Sequence, residues 1–280
     1  MLLLLSPAKT LDYTSPLPPA LAMHLDGRAP QQPRYAGQAL ELIKLLRQQG
    51  VDEIAALMAL SDKLAELNVA RYQAWRRTAS PVNSRPALLA FNGDVYEGLQ
   101  AQTLRAEDLD WAEQHLLILS GLYGLLQPLD ALQPYRLEMG TRLANPAGAD
   151  LYAWWRERVS ADLGKRLRVH ARAAGRDLAV VLNLASQEYA RVVDRAALGA
   201  LVVDVVFEDW HGGRWKIISF NAKRARGLMA RHVIVNRLTR PDELGGFDAE
   251  GWAWAPGEST PAQLVFRRDL QGGAGERGGA

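Results

Sequence analysis

The sequence of 280 residues contains no cysteine. This absence excludes disulfide bonds, thiolate zinc sites, Cys-ligated iron–sulfur clusters and any reduction of peroxide by a protein thiol. The five histidines are scattered along the chain without HExxH or any other metal-ligand spacing, which argues against a metal enzyme. We therefore expect neither a metal nor a cofactor.

Long apolar runs are also absent, since none approaches the roughly 20 residues that a membrane helix needs. The opening MLLLLSPAKT has no basic segment before its apolar run, the run is too short for a signal peptide, and Pro7 follows it at once. This stretch is more typical of a buried strand. We expect a cytoplasmic protein that does not contact membranes.

Negative charge is missing from one long segment, although the whole chain is nearly balanced, with 33 basic and 31 acidic residues. Residues 210–241 contain no Asp or Glu. The segment carries these cations: Arg214, Lys216, Lys223, Arg224, Arg226, Arg231, Arg237 and Arg240.

A helix over residues 221–238 would separate these cations from the apolar side chains of the same segment. Its basic side would carry Lys223, Arg224, Arg226, Arg231 and Arg237. Carboxylates at helical spacing are absent, so pairing within the helix is impossible. The basic strip therefore either binds a polyanion through phosphate oxygens or pairs with acids from elsewhere in the fold, and the pattern leaves both open.

Four short apolar runs, LLLLS, ALLAF, HLLILS and AVVLNL, each end on small or polar residues, as strands buried on both faces do. Helical patterns separate them at 36–49, 51–77 and 150–174. A hairpin is predicted at His211-Gly212-Gly213. These signals indicate an α/β (mixed α+β) fold: a single compact domain, residues 1–268, with a mixed, partly parallel sheet flanked by helices. Residues 16–33 read as a long surface loop and 269–280 as a flexible tail.

If the four runs are parallel, their carboxyl ends gather at one edge of the sheet, where ligands bind in open α/β folds. That edge would carry Ser6, Lys9, Asn92, Asp94, Ser120, Tyr123, Asn183, Ser186 and Glu188. Lys9 could serve as a nucleophile or phosphate ligand, with Asp94 or Glu188 as acid–base partner. Alternatively, the serines and asparagines cap helices and Lys9 pairs with Asp12 or Asp94. The sequence contains no GxSxG, Walker A or dinucleotide fingerprint.

Residues 51–77 read as two helices with a break near Leu60, and Ser61 is placed to cap the second. Such a pair resembles a helix–hairpin–helix, which presents backbone N–H groups and cations such as Lys63 and Arg71 to phosphate. The glycine common in these hairpins is missing, so an ordinary αα-hairpin is the other interpretation. In the Gly- and Pro-rich loop that follows residue 120, Tyr135 and Arg136 could contact a base or phosphate, or simply hold the loop.

These stretches together resemble the YaaA peroxide-stress protein family. The matching blocks are SPAKTLDY, LMALSDKLAELN, LLAFNGDVYEGL, LSGLYGLLQPLDALQPYRLEMGTRL, NLASQEY and KIISFNAKRARGLMARHVI. The resemblance implies a compact bacterial cytoplasmic α/β protein with a DNA-binding basic cleft, a helix–hairpin–helix element around Ser61, and a role in limiting iron-driven oxidative damage. This chain departs from the family at Asn92, where lysine is usual, at Asn221, where an aromatic is usual, and at Arg224, where lysine is common.

The leading hypothesis is a monomeric DNA-binding protein of the peroxide stress response that recognises backbone and shape. Its expected DNA contacts are Lys63, Arg71, Arg136, Lys216, Lys223, Arg224, Arg226 and Arg231. The second hypothesis is an enzyme acting on a nucleotide or damaged nucleobase in a pocket that includes Ser6, Lys9, Ser120, Tyr123, Asn183 and Ser186. A third is direct iron binding by Asp94, Glu138 and Glu188. Enzymatic activity is left open, although the sequence favours a binding role.

Overall fold

The computed structural model describes residues 1–175 and 178–270. The predicted tail lies outside the described residues from 271 onward. The helices are α1 (Pro19–Leu25), α2 (Ala36–Leu46), α3 (Val51–Met58), α4 (Asp62–Ala74), α5 (Ala87–Ala90), α6 (Asp94–Leu99), α7 (Ala106–His115), α8 (Leu151–Ala173), α9 (Gln187–Ala190), α10 (Arg195–Leu198) and α11 (Ser219–Asn236). Short 3₁₀ turns occupy Ala101–Thr103, Pro241–Gly246, Ala249–Gly251 and Pro256–Glu258.

The strands form one large mixed sheet and two small ribbons. They are β1 (Leu2–Leu5), β2 (Thr10–Leu11), β3 (Arg85–Pro86), β4 (Phe91–Asn92), β5 (Leu116–Ser120), β6 (Gly124–Leu126), β7 (Ala131–Leu132), β8 (Val180–Asn183), β9 (Leu201–His211), β10 (Arg214–Lys216), β11 (Ala253–Trp254) and β12 (Gln263–Arg268). The large sheet runs β11-β12-β9-β8-β1-β5-β6, with β10 paired to β9. Strands β12, β9, β8, β1 and β5 are parallel neighbours, whereas β6, β10 and β11 pair antiparallel. The predicted mixed, partly parallel sheet is confirmed.

The centre of the sheet is the core of the protein. Every residue of β1 and β5 is buried, as the continuous apolar runs predicted, because helices and connections cover both faces of these strands. Helix α8 packs on β6 and α11 packs on β9. Within residues 1–175 and 178–270, no helix combines the length and apolar character needed to cross a membrane.

Two sequence predictions in the first hundred residues are wrong. The run ALLAF is not a central strand: its first four residues form α5, and only Phe91 continues into the short strand β4, which pairs with β2. A short, wholly buried apolar run looks the same in a helix and in a strand, because neither leaves a polar face. The proline-rich stretch 16–33 is not all loop, since it contains α1, with Pro19 in its first turn where proline is tolerated.

The break predicted inside 51–77 is confirmed: α3 ends at Met58, the C-cap Ala59 is in the left-handed conformation (φ 51°), and α4 begins after Ser61. The capping role of Ser61 is corrected: its hydroxyl makes no capping hydrogen bond, although the residue occupies the N-cap position. The hairpin at Gly212 and Gly213 forms as predicted. Both glycines have positive φ (61° and 79°), the geometry that a tight two-residue turn requires.

Candidate functional site

The carboxyl ends of β1 and β8 meet at one edge of the sheet, because the two strands are parallel neighbours. The backbone N–H of Ser186 donates to Oγ of Ser6 at 2.9 Å, which joins the loops that follow the two strands. A cavity of about 400 Å³ opens beside this contact. Its polar and charged lining is Ser6, Lys9, Thr10, Asn92, Asp94, Glu138, Ser186, Glu188, Tyr189, Lys223 and Arg226.

On the β1 side, Lys9 pairs with Glu138 rather than with Asp12 or Asp94. Its Nζ lies 2.8 Å from Oε2 of Glu138, whose Oε1 lies 3.3 Å from Nη2 of Arg136. Glu138 is thus bracketed by two cations. Asp12 instead accepts backbone hydrogen bonds from the turn that follows it, and these bonds hold its pKa well below the ordinary range.

On the opposite side, helix α11 brings Lys223 and Arg226 to the same cavity. Nζ of Lys223 lies 3.8 Å from Oδ2 of Asp94, the first residue of α6. The side chains of Lys9 and Lys223 stay 61% and 52% exposed, so a ligand can reach both. Residues predicted at the carboxyl ends of the strands, such as Lys9, and residues of the basic strip, such as Lys223, therefore lie at one site, although they are far apart in the sequence.

The rest of the basic strip is paired within the protein, so it is not a free surface. Arg224 forms a bidentate pair with Glu250, with one N–O distance of 2.6 Å. Arg231 donates to the backbone oxygens of Leu99 and Gln100 at the end of α6. Arg237 pairs with the buried Asp108 at 2.7 Å. Acids and carbonyls from other elements satisfy these cations, as the alternative interpretation allowed.

Two predicted pocket residues, Ser120 and Tyr123, are buried in the core and do not line the cavity. Oγ of Ser120 lies 2.7 Å from the hydroxyl of Tyr135, and the hydroxyl of Tyr123 accepts a hydrogen bond from Nε1 of Trp75 at 2.8 Å. Burial raises the pKa of both tyrosines. Tyr135 is therefore a core residue rather than a stacking platform.

Helix α4 reaches the rim of the site. The hydroxyl of Tyr72 donates to the backbone oxygen of Arg136, which fixes α4 against the loop that carries Glu138. Arg71 lies on the same helix close to Arg136, and burial together with this neighbouring cation lowers its pKa. Lys63 is exposed in the first turn of α4, and Lys216 lies on β10; neither lines the cavity.

Asn183 lies at a second cavity instead of the first. Its side chain donates to Asp204 on the neighbouring strand β9 at 2.7 Å. Arg195 holds the same carboxylate through two bonds of 2.7 and 2.8 Å. Arg191, Arg195 and Asp204 went unnoticed in the sequence, because no local pattern indicates that α10 folds back onto β9.

The three carboxylates considered for iron do not form a ligand set. Asp94, Glu138 and Glu188 line the first cavity, yet the described part of the chain contains no group of three or more His, Asp or Glu side chains that could hold a metal ion. Glu138 is taken up by Lys9 and Arg136, and Glu188 accepts the backbone N–H of Gly140 at 2.9 Å.

Comparison with known proteins places the chain in a family. Residues 1–258 match the family described as peroxide stress protein YaaA. The chain is 59% identical to a UPF0246 protein of Leptothrix cholodnii and 58% identical to one of Verminephrobacter eiseniae, each over 96% of this chain and 98% of the relative. A UPF0246 protein of Bordetella pertussis is 54% identical, over 96% of this chain and 99% of the relative. The chain belongs to the peroxide stress protein YaaA family, which supports a role in peroxide stress.

Proposed function

We propose that this protein binds DNA during peroxide stress through a basic cleft formed by Lys9, Arg71, Arg136, Lys223 and Arg226. The observation that carries the proposal is the convergence of Lys9 and Lys223, from opposite ends of the sequence, on one accessible cavity. Arg136 and Arg71 extend positive charge from Lys9 along the rim towards α4. Four other predicted DNA contacts do not line the basic cleft: Lys63, Lys216, Arg224 and Arg231.

The ion pairs of the cleft are compatible with phosphate binding. Exposed pairs such as Lys223 with Asp94 contribute about 1 kcal/mol or less, so either lysine can exchange its carboxylate for a phosphate oxygen at small cost. Phosphate contacts carry no sequence information, and the cleft contains no element of a base-reading motif. We expect recognition of backbone and shape, with affinity that falls steeply as salt rises.

The test is duplex binding across a salt series for wild type and a Lys9→Gln/Lys223→Gln variant. Lys44→Gln/Lys165→Gln is the matched control, because both of its lysines are exposed outside the cleft. Each lost phosphate contact should lower the slope of log affinity against log salt by about 0.9, so the cleft variant should lose about 2. Absence of wild-type binding at low salt, or equal slopes for the two variants, would refute the proposal.

DNA binding also offers a physical route to limiting iron-driven damage. Cations of a bound protein displace the counterions condensed on the phosphates, and ferrous iron is among the ions displaced. A duplex covered by the protein should then suffer less strand scission by ferrous iron and peroxide than the bare duplex. The cleft variant should not protect at concentrations where the wild type does. Equal scission with and without saturating wild-type protein would exclude this link.

A second candidate function is an enzyme acting on a nucleotide or damaged nucleobase. It is favoured by the presence of Lys9, Asp94 and Glu188 around one cavity, since an amine and carboxylates are the groups that imine chemistry at a sugar or base uses. Borohydride in the presence of damaged oligonucleotides should then trap a protein–DNA adduct that Lys9→Gln abolishes. If no damaged substrate yields an adduct, this second candidate is excluded.

A further inference from the structure

Arg226 lines two cavities. Besides the basic cleft, it borders a second cavity of about 330 Å³ near the junction of β8, β9 and α9. We call it the arginine cavity, after Arg191, Arg195 and Arg226 in its wall. Its volume is within the range of small-molecule sites, and Ile217 in its wall is 59% exposed, so the cavity has an apolar surface at its mouth.

The carboxylate of this cavity is already neutralised. Asp204 receives both hydrogen bonds of the Arg195 guanidinium and one from Asn183. Burial opposes ionisation, but these hydrogen bonds prevail and hold the pKa of Asp204 below its ordinary value. Arg195 and Asp204 therefore cancel each other, and the charge of the cavity depends on its other two arginines.

Those two arginines have no carboxylate partner among the residues that the structure describes. Nε of Arg226 is buried and makes no hydrogen bond, and burial lowers the pKa of its guanidinium. Arg191 stacks on the ring of Tyr152, with its Cζ 4.8 Å from the ring centroid. Arg191 is exposed, so water solvates its guanidinium when no ligand is bound, whereas the buried Nε of Arg226 has no partner. Guanidinium groups bind oxyanions through bidentate hydrogen bonds, and an oxyanion in the cavity would give both arginines a partner.

We propose that the arginine cavity binds a phosphomonoester with a ring or other apolar body. Two unneutralised guanidinium groups match the two negative charges of a phosphomonoester. Gln187 supplies an amide group at the wall, and Val205 and Ile217 supply apolar contact for the body of the ligand. This site does not depend on DNA binding: Arg226 borders both cavities, but Arg191 lines only the arginine cavity, and Lys9 and Lys223 line only the basic cleft.

Calorimetry with phenyl phosphate tests the proposal, with phenyl sulfate and phenol as comparison ligands. Wild type should bind the phosphate more tightly than the singly charged sulfate and should not bind phenol. The affinity for phenyl phosphate should increase as pH rises through the second ionisation of the phosphate, near 6. Arg226→Gln and Arg191→Gln should each weaken it roughly tenfold or more, since a hydrogen-bonded charge contact is lost.

Arg224→Gln is the matched control, because Arg224 lies on the same helix and lines neither cavity. Thermal unfolding without ligand shows whether each variant folds. Equal affinity for phosphate and sulfate, wild-type affinity in folded Arg191→Gln, or no binding by wild type would each overturn the proposal. Loss of binding in Lys9→Gln/Lys223→Gln but not in Arg191→Gln would place the phosphate in the basic cleft and would also overturn it. The duplex titrations distinguish failure of this proposal from failure of the proposed DNA binding, because Arg191→Gln should leave DNA affinity and its salt slope unchanged.

Discussion

Gly98 of α6 and Gly227 of α11 bring the backbones of the two helices into direct contact. A Cβ at Gly227 would lie 1.8 Å from the backbone oxygen of Val95, and a Cβ at Gly98 would lie 2.2 Å from that of Arg224. Only glycine permits so close an approach. The contact fixes α11 against the helix that begins with Asp94, and so determines where Lys223 and Arg226 enter the cavity.

Gly227→Ala should therefore destabilise the protein although alanine favours helix. The added methyl group cannot displace backbone on α6, so we expect a loss of about 3 kcal/mol or more in the free energy of unfolding, beyond common overpacking costs. Chemical denaturation measures it. Gly37→Ala is the control: Gly37 lies in the first turn of α2, has open space where its Cβ would lie, and its substitution should stabilise the protein by at most about 0.5 kcal/mol. Equal effects of the two substitutions would contradict the close packing.

Arg231 has a structural role that a phosphate contact would not explain. It donates to the backbone oxygen of Leu99, the last residue of α6, and to that of Gln100, which also accepts the backbone N–H and the hydroxyl of Thr103. Arg231→Met should cost about 1–3 kcal/mol in unfolding free energy, since the part-buried carbonyl of Leu99 loses its donor. Arg28→Met, which removes only an exposed pair of 3.8 Å, should change stability by less than about 0.5 kcal/mol. Unchanged stability of Arg231→Met would show that water replaces the guanidinium.

Asp130 should make the protein less stable as pH rises. Burial raises its pKa from 3.8 to about 7, against hydrogen bonds from Gln127 and Gln31. The folded state therefore binds the proton that the unfolded state has already released. The free energy of unfolding should fall by up to about 4 kcal/mol between roughly pH 4 and pH 7 from this group.

Asp130→Asn removes this proton and should flatten the decline. Asp26→Asn, which removes an exposed carboxylate, is the control for the loss of one negative charge. Burial lowers the pKa of His115 to about 4, so this residue makes the protein less stable as pH falls below about 6.5, which is the opposite trend. The stability profiles are therefore compared as variant minus wild type, which removes the contribution of His115. A parallel offset of the Asp130→Asn profile across this pH range would contradict the raised pKa.

The sequence predicted the parts of the fold that depend on local pattern. The all-buried runs before Ser6 and Ser120 form adjacent parallel strands, and the rule that ligand sites lie at carboxyl ends located the cavity between Ser6 and Ser186. The run ending at Phe91 failed because a helix and a strand buried on all sides share one pattern. Nor does any local pattern show that the short strand β4 pairs with β2 outside the large sheet.

The pairing of the basic strip could not be decided from the sequence, because the partner acids lie outside the segment. The absence of acids within 210–241 is real, but Glu250 lies just beyond it and Asp108 and Asp94 come from far earlier elements. A helical wheel reports only partners within one turn or two. It therefore could not separate Lys223 and Arg226, which line the cavity, from Arg224, which is neutralised.

Glu138 should weaken DNA binding in the wild type, because its carboxylate lies between Lys9 and Arg136. Glu138→Gln removes that negative charge while an amide of the same shape stays in place. If the basic cleft binds phosphate, affinity for duplex should increase several-fold at low salt and the gain should shrink as salt screens it. Glu41→Gln is the matched control, because it frees Lys44 on α2, outside the cleft, and should leave affinity unchanged. Fluorescence anisotropy across the salt series gives both quantities. A Glu138→Gln variant that binds no better than wild type would show that the carboxylate orients the cations instead of competing with phosphate for them.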